Sequence, residues 1–290
     1  MHFGSLVAAF ASFVDARHRG GEWLVRIDDL DPPRTVAGAA ERQLETLHAF
    51  GLHWDGPVVY QSTRTAAYAV ALDELIAQGL VYPCGCSRKE IAAHGRAGLE
   101  GPIYPGTCRG GLPAGRAPRA WRFATQPGQV RFDDRIQGAR SQDLAATVGD
   151  FVVRRADGIH AYQLAVVVDD AWQGITDIVR GADLVDSTPR QIALQRALAL
   201  PTPTYAHVPL VLDPAGRKLS KSDAALPADP DDPLPALMRA WFFLGQAPLL
   251  PRPTSQIELL ERAVASWDIA RVRGRRSRPH LPETEKSPFI

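Results

Sequence analysis

Between residues 6 and 76 the hydrophobic period switches back and forth, and this alternation restricts the fold more than any other feature of the chain. Leu6 to Arg17 is apolar at helical spacing and stops at Gly20-Gly21. Trp23-Leu24-Val25-Arg26-Ile27 then reads as a buried strand, closed by the acidic turn Asp28-Asp29-Leu30-Asp31-Pro32-Pro33. A helix capped by Thr35 comes next, with Val36, Ala40, Leu44 and Leu47 on one face as far as Gly51. A short strand at Val58–Tyr60 and a helix from Ser62 or Thr63, carrying Tyr68, Leu72, Leu75 and Ile76, repeat the unit. Strand–helix–strand–helix in this rhythm predicts an α/β fold built on a parallel, doubly wound sheet.

The rhythm breaks at Pro83. From there to Gly149 the chain is rich in Gly, Pro and Arg, with strand-like pieces at Trp121–Ala124 and Val130–Asp133, and it reads as an insertion between two halves of the sheet. Regular patterning resumes at Phe151-Val152-Val153-Arg154, followed by Leu164–Val168, a helix at Thr188–Leu198 and a strand at Tyr205–Leu212. A Pro/Asp-rich linker, Pro227–Pro235, leads into two C-terminal helices and a basic tail with Arg271, Arg273, Arg275, Arg276 and Arg278, expected to be flexible. The expected plan is therefore 1–82, first half of the sheet domain; 83–149, insertion; 150–204, second half; 205–270, a lysine loop with helices; and 271–290, tail.

At 290 residues, 45% hydrophobic and 22% charged, the chain can bury a substantial core. No apolar run approaches the ~20 residues of a membrane helix, and the start lacks the basic region of a signal peptide. With 33 basic and 32 acidic residues, overall charge says nothing about nucleic acid, so any such contact rests on local patches. All three cysteines fall within Cys84–Cys108, which reads as a metal site in a reducing cytosol rather than a disulfide framework. Three thiolates want a fourth tetrahedral ligand, and chemistry alone points to His94.

Two short strings at opposite ends suit one reaction. Lys218-Leu219-Ser220-Lys221-Ser222 comes just after Gly216, and its lysines are compact charges able to neutralise a departing pyrophosphate. His2-Phe3-Gly4-Ser5 opens a helix whose unpaired N–H groups and dipole favour phosphate, with Gly4 permitting close approach. Asp28, Asp29 and Asp31 stand at a strand's carboxyl end, where open α/β sheets bind ligands, and read either as a solvated turn or as a site for an ammonium group. Arg180 offers a bidentate fork to a substrate carboxylate, or a salt bridge to a nearby aspartate.

Taken together, His-Phe-Gly-Ser, Arg-Ile-Asp-Asp-Leu-Asp, Tyr162-x-x-Ala-x-Val-Val-Asp-Asp170, Arg180-Gly-Ala-Asp-Leu and Lys-Leu-Ser-Lys-Ser resemble the class I glutamyl-tRNA synthetases. The resemblance is closer still to their short relatives, the glutamyl-Q tRNA(Asp) synthetases, and runs in order from residue 2 to about 222. It implies a Rossmann-type catalytic domain that activates L-glutamate with Mg-ATP and transfers the glutamyl group to queuosine in the anticodon of tRNA(Asp). It further implies His2 and Lys221 as catalytic groups; His2, Gly4, Ser5, Lys218 and Lys221 at ATP; Asp28, Tyr162 and Arg180 at glutamate; and structural Zn2+ on Cys84, Cys86, Tyr104 and Cys108. A cytoplasmic monomer is expected, with basic residues of the insertion and C-terminal helices on tRNA phosphates.

The family's first strand, Arg-Phe-Ala-Pro-Ser-Pro-Thr-Gly, is not in this chain, so a start further upstream is expected. Asp28 stands where Glu is common, and Ser5 stands in place of a second histidine. The stretch beyond Ser222 is too short for a large anticodon-binding region. Rival readings are a truncated glutamyl-tRNA synthetase that charges an acceptor end, and a non-catalytic tRNA-binding remnant.

Overall fold

The apolar stretch at the start folds as α1 (Phe3–His18), with Leu6, Val7, Phe10, Ala11 and Val14 wholly buried. A computed structural model describes residues 1–31, 36–99, 101–213, 229–272, 274 and 277–279, with the side chains of 278 and 279 left aside. The next strand, β1 (Arg26–Ile27), is shorter than its apolar run because Trp23 turns to pack edge-on against Phe13. Then come α2 (Ala39–Ala49), β2 (Val59–Tyr60) and, after a 3-10 turn at Gln61–Arg64, α3 (Thr65–Ala77). Gly38 precedes α2 at φ 72°, a left-handed conformation that glycine adopts without strain; the expected cap, Thr35, lies outside the described residues.

The Gly- and Pro-rich region carries β3 (Val81–Cys84), α4 (Arg88–His94), β4 (Ala97–Gly98), β5 (Gly101–Pro102), β6 (Ala120–Phe123), the hairpin β7 (Gln129–Asp134) and β8 (Gly138–Asp143), and α5 (Leu144–Thr147). Ser87 and Glu90 start α4 with a reciprocal capping box. After it come β9 (Phe151–Arg154), α6 (Tyr162–Trp172), β10 (Asp177–Gly181), α7 (Thr188–Ala197), β11 (Thr204–Val208), β12 (Leu210–Leu212), the C-terminal helices α8 (Pro233–Phe243) and α9 (Gln256–Ser266), and β13 (Ser277–Pro279).

Strand pairing corrects the sequence reading in two places. Among the described residues the parallel pairs β1–β2, β10–β11 and β12–β13 do not join into one doubly wound sheet. The longest sheet is mixed, in the order β10–β11–β7–β8: β7 joins β11 in parallel through Tyr205 and Asp134, while β8 folds back antiparallel. The second correction concerns Phe151–Arg154, expected to resume the parallel pattern. It pairs antiparallel with β6 instead, in the sheet β3–β6–β9, because its apolar face packs Phe151 against Phe123 with ring centroids 5.3 Å apart.

Two cores result. One joins α1, β11 and β12 to α8 and α9; the other joins α3, α6 and α7 to β6 and β9. Fully burying each large side chain, such as Phe10 or Leu164, contributes roughly 1.5–3 kcal/mol. A charged clamp crosses the first core. Buried Asp15 of α1 accepts two bonds from Arg135, at 2.6 and 2.9 Å, and one from the Trp267 indole at 2.9 Å. None of the described helices is long and apolar enough to cross a membrane.

Candidate active site and cysteine cluster

Arg180 and His207 face each other across β10 and β11 as direct register partners. The Arg180 Nε donates to His207 Nε2 at 3.0 Å, and Nη2 donates to Thr188 Oγ1 at 2.9 Å and Gln191 Oε1 at 2.7 Å. All these acceptors are neutral. Among the described residues no carboxylate lies within salt-bridge distance of this guanidinium, so the aspartate partner considered from sequence does not materialise. Tyr162, the first residue of α6, sits within electrostatic reach of both Arg180 and Asp28, and its hydroxyl pKa is raised by burial. The three residues expected at glutamate thus share one neighbourhood.

The acidic turn divides its labour. Asp29 accepts from the Ser62 backbone N–H (2.8 Å) and hydroxyl (2.6 Å), holding the 3-10 turn, and Asp31 pairs with Arg155 at 3.2 Å. Among the described residues Asp28 keeps a single salt bridge, to Arg26 Nε at 3.2 Å, with its side chain 44% exposed. Crowding by surrounding protein desolvates its carboxyl and raises its pKa, opposed by Arg26 and assisted by Asp169 and Asp29. Arg26 itself is held by Asp170 at 2.8 Å and Gln173 at 2.9 Å. Behind it, fully buried Asp169 accepts from Arg64 (2.6 Å), Tyr68 (2.7 Å) and Gln61 (2.9 Å).

At the first helix, His2 acts as N-cap: Nδ1 accepts the Ser5 backbone N–H at 3.2 Å, leaving Nε2–H to reach Ser5 Oγ at 2.9 Å. Gly4 has a local reason to be glycine, since a Cβ there would stand 3.3 Å from the His2 ring. It would also stand 3.8 Å from Val211 Cβ, so β12, which leads into the lysine string, lies directly against the start of α1. Lys218 and Lys221 lie outside the described residues. A concavity of about 700 Å³ between α1, α2 and α9, lined by Phe13, His48 and Leu260, contains none of the expected site residues.

The three cysteines converge, their sulfurs all within 4.8 Å of one another. Cys86 and Cys108 Sγ are 3.7 Å apart, too far for a disulfide. The Tyr104 hydroxyl stands 3.4 Å from Cys84 Sγ and 3.6 Å from Cys86 Sγ, while Arg122 covers its ring at 4.0 Å. A tetrahedral zinc with bonds of ~2.3 Å to sulfur and ~2.0 Å to oxygen implies sulfur–sulfur edges of ~3.8 Å and sulfur–oxygen edges of ~3.5 Å. The donor chemistry suits that ion, and the Cys86–Cys108 edge and both tyrosine–sulfur distances match it, while a sulfur separation as wide as 4.8 Å would close by about 1 Å around it. His94, the alternative from chemistry alone, is exposed on α4, its Nδ1 bound to the Glu90 carbonyl at 2.9 Å, and takes no part in the cluster.

Sequence reasoning missed Asp134 and His207. Asp134 ends β7, and its Oδ2 accepts from His207 Nδ1 at 2.5 Å, both side chains being fully buried. The available signal was a histidine inside the apolar strand Tyr205–Val208.

Comparison with known proteins identifies the family. The model of the class I tRNA synthetases (E and Q), catalytic domain, matches residues 1–248. The chain is 60% identical over 248 residues to a glutamyl-Q tRNA(Asp) synthetase of Dechloromonas aromatica, covering 85% of this chain and 82% of that one. It is 59% identical over 274 residues to the enzyme of that name from Burkholderia cenocepacia, covering 92% of each. In fold it is similar to a glutamate tRNA ligase from Elizabethkingia meningosepticum crystallised with its amino acid, with TM-score 0.81 and 22% identity. That alignment covers 98% of this chain and 65% of the ligase. Similarity of this extent, to relatives of nearly the same length, makes the chain a member of the glutamyl-Q tRNA(Asp) synthetases within the class I tRNA synthetases.

Proposed function

We propose that this chain activates L-glutamate with Mg-ATP and transfers the glutamyl group to queuosine in the anticodon of tRNA(Asp), acting as a cytoplasmic monomer. The observation that carries the reading is Arg180, a cation without a carboxylate partner among the described residues, beside Tyr162 and Asp28. Arg180 receives a glutamate carboxylate and Asp28 the ammonium group, with Tyr162 between them. The substrate α-carboxylate then attacks the α-phosphate in line, forming the acyl-adenylate as pyrophosphate departs. His2, Gly4, Ser5, Lys218 and Lys221 stabilise the developing charge; the contact of Val211 with Gly4 supports bringing the two strings together. A queuosine hydroxyl next attacks the adenylate carbonyl, loses its proton and expels AMP. No protein nucleophile is required, so catalysis is positioning and electrostatics.

In this reading β1, β2 and β10 belong to a Rossmann-type catalytic domain formed by 1–82 and 150–204, to which β11 of the following segment adds a parallel strand. The connecting 83–149 is stapled by Zn2+ on Cys84, Cys86, Tyr104 and Cys108, and 205–270 and 271–290 complete the chain. When bound, the ion supplies folding energy rather than chemistry. Basic residues of the insertion and C-terminal helices hold tRNA phosphates. Glutamate-dependent ATP–pyrophosphate exchange, and glutamate acceptance by tRNA(Asp) with and without queuosine, test the function. Acceptance independent of queuosine, or charging of tRNA(Glu), overturns it. Metal analysis of the purified protein is expected to find one zinc, lost in Cys86→Ala.

A further inference from the structure

We propose that Asp134 and His207 form a positioning pair that fixes the Arg180 guanidinium for substrate without neutralising it; this rests on the reading of Arg180 as the contact for a glutamate carboxylate. In this reading neither residue touches the substrate. Their effect passes through Arg180.

The hydrogen-bond chain has a single consistent polarity. The Asp134 carboxylate accepts at Oδ2, so His207 Nδ1 must carry the proton. The lone pair then lies on Nε2, which is what the Arg180 Nε–H requires at 3.0 Å. Asp134 cannot turn away, because its Oδ1 is held by the backbone N–H groups of Ile136 (2.9 Å), Gln137 (2.7 Å) and His207 (3.2 Å). Gln137 adds a bond to the His207 carbonyl at 2.9 Å. The tautomer is thus dictated from β7, a strand that sequence patterning placed in the insertion.

The arrangement solves a definite problem. An arginine that must bind a substrate carboxylate needs its Nε anchored, yet a carboxylate anchor would cancel the attraction. An imidazole interposed between acid and guanidinium keeps the directionality of the bond and moves the negative charge one ring further away. Thr188 and Gln191 hold Nη2 by the same neutral means. Nη1 takes no hydrogen-bond partner among the described residues, so one edge of the fork is left for ligand.

The experiment uses the full chain and two readings: the glutamate dissociation constant by calorimetry, and imidazole 15N shifts of His207. Asp134→Asn is nearly isosteric and keeps an acceptor for the three backbone donors, but its amide donates to Nδ1 and moves the ring proton to Nε2. Two N–H groups then oppose each other at Arg180. The expected result is a switched tautomer with glutamate binding weakened on the order of ten-fold or more, and ATP binding within about two-fold of the parent. His207→Gln, whose Oε1 reaches the place of Nε2, is expected to bind glutamate more tightly than His207→Ala. A switched tautomer with unchanged glutamate affinity overturns the proposal, as does His207→Ala binding like the parent. If Asp134→Asn does not fold, the two His207 variants decide. Arg180→Ala separates the layers: if it leaves glutamate affinity intact, the binding reading itself fails; if it abolishes binding while Asp134→Asn and His207→Ala do not, only the positioning proposal fails.

Discussion

Arg26 and Arg180 stand at the ends of parallel strands on two sides of the same neighbourhood, and their surroundings are opposite. Arg26 is ringed by carboxylates: Asp170 at 2.8 Å, Asp28 at 3.2 Å and Asp169 at 3.9 Å. Burial would lower its pKa, but these anions more than offset that and raise it. Arg180 is ringed by an imidazole, a hydroxyl and an amide. The same side chain therefore does two jobs. With acids around it, arginine is a structural tie whose charge is spent internally; with neutral acceptors, its charge is exported to whatever ligand arrives.

Four measurements bear on that contrast. The largest effect is expected for Arg26→Met, which leaves buried Asp170 without its cation: urea unfolding should show a loss of about 3–5 kcal/mol. A loss below about 1 kcal/mol would erase the distinction. Next, Arg180→Ala should weaken glutamate binding by about 2–4 kcal/mol, roughly 30- to 1,000-fold, while unfolding free energy changes by less than about 1 kcal/mol. If Arg180→Ala instead lost stability and kept its affinity, the two arginines would have exchanged roles. Third, Asp28→Asn sharpens the comparison, because Asp28 touches Arg26 yet stays open to ligand. Its stability should change by less than about 1 kcal/mol, with glutamate affinity falling about ten-fold, read by calorimetry.

The smallest effect is the dependence on pH. Burial lowers the pKa of His207, with Asp134 on β7 and Asp183 opposing and Arg180 on β10 assisting, while Tyr205 on its own strand stacks beside it. Asp134 is also held below its usual range, because the His207 bond and backbone N–H groups outweigh the effect of burial. Both shifts have the same sign. The His207 contribution to stability is complete above pH 6.5 and is lost as pH falls through the depressed folded value, whereas glutamate affinity, which follows the folded ring alone, holds until that depressed value is reached. Calorimetry stepped downward from pH 7.5 should show unchanged affinity as far as pH 6.5 and a loss only further down, where the folded imidazole takes its proton; an affinity that improves on acidification contradicts the neutral imidazole.

Much of this was legible in the sequence, for identifiable reasons. Helices such as Phe3–His18 and Thr188–Ala197 are local and were readable from their spacing, whereas the apolar run Leu164–Val168 left open that it belongs to the helix Tyr162–Trp172. The cysteine cluster was readable because Cys84-Gly-Cys86 and Cys108 close a short loop. Strand partners were not readable. The Asp134–His207 contact spans 73 positions and depends on β7 inserting beside β11, a choice made by the packing of Phe132 on Tyr205 rather than by any local pattern. Phe151–Arg154 misled for the same reason: its apolar run fits a parallel or an antiparallel neighbour, and only Phe123 decides. Which acid of the turn faces outward was equally hidden, since Ser62 and Arg155, which occupy Asp29 and Asp31, lie far along the chain.

The Asp15 clamp has a consequence for anyone shortening this polypeptide. Deleting the segment beyond Ser266 removes an indole whose hydrogen bond lands 252 positions earlier, on a carboxylate in the last turn of the opening helix. Terminal trimming would therefore register as damage to the core around the opening helix, and a deletion series would find a cliff in place of a gradual decline.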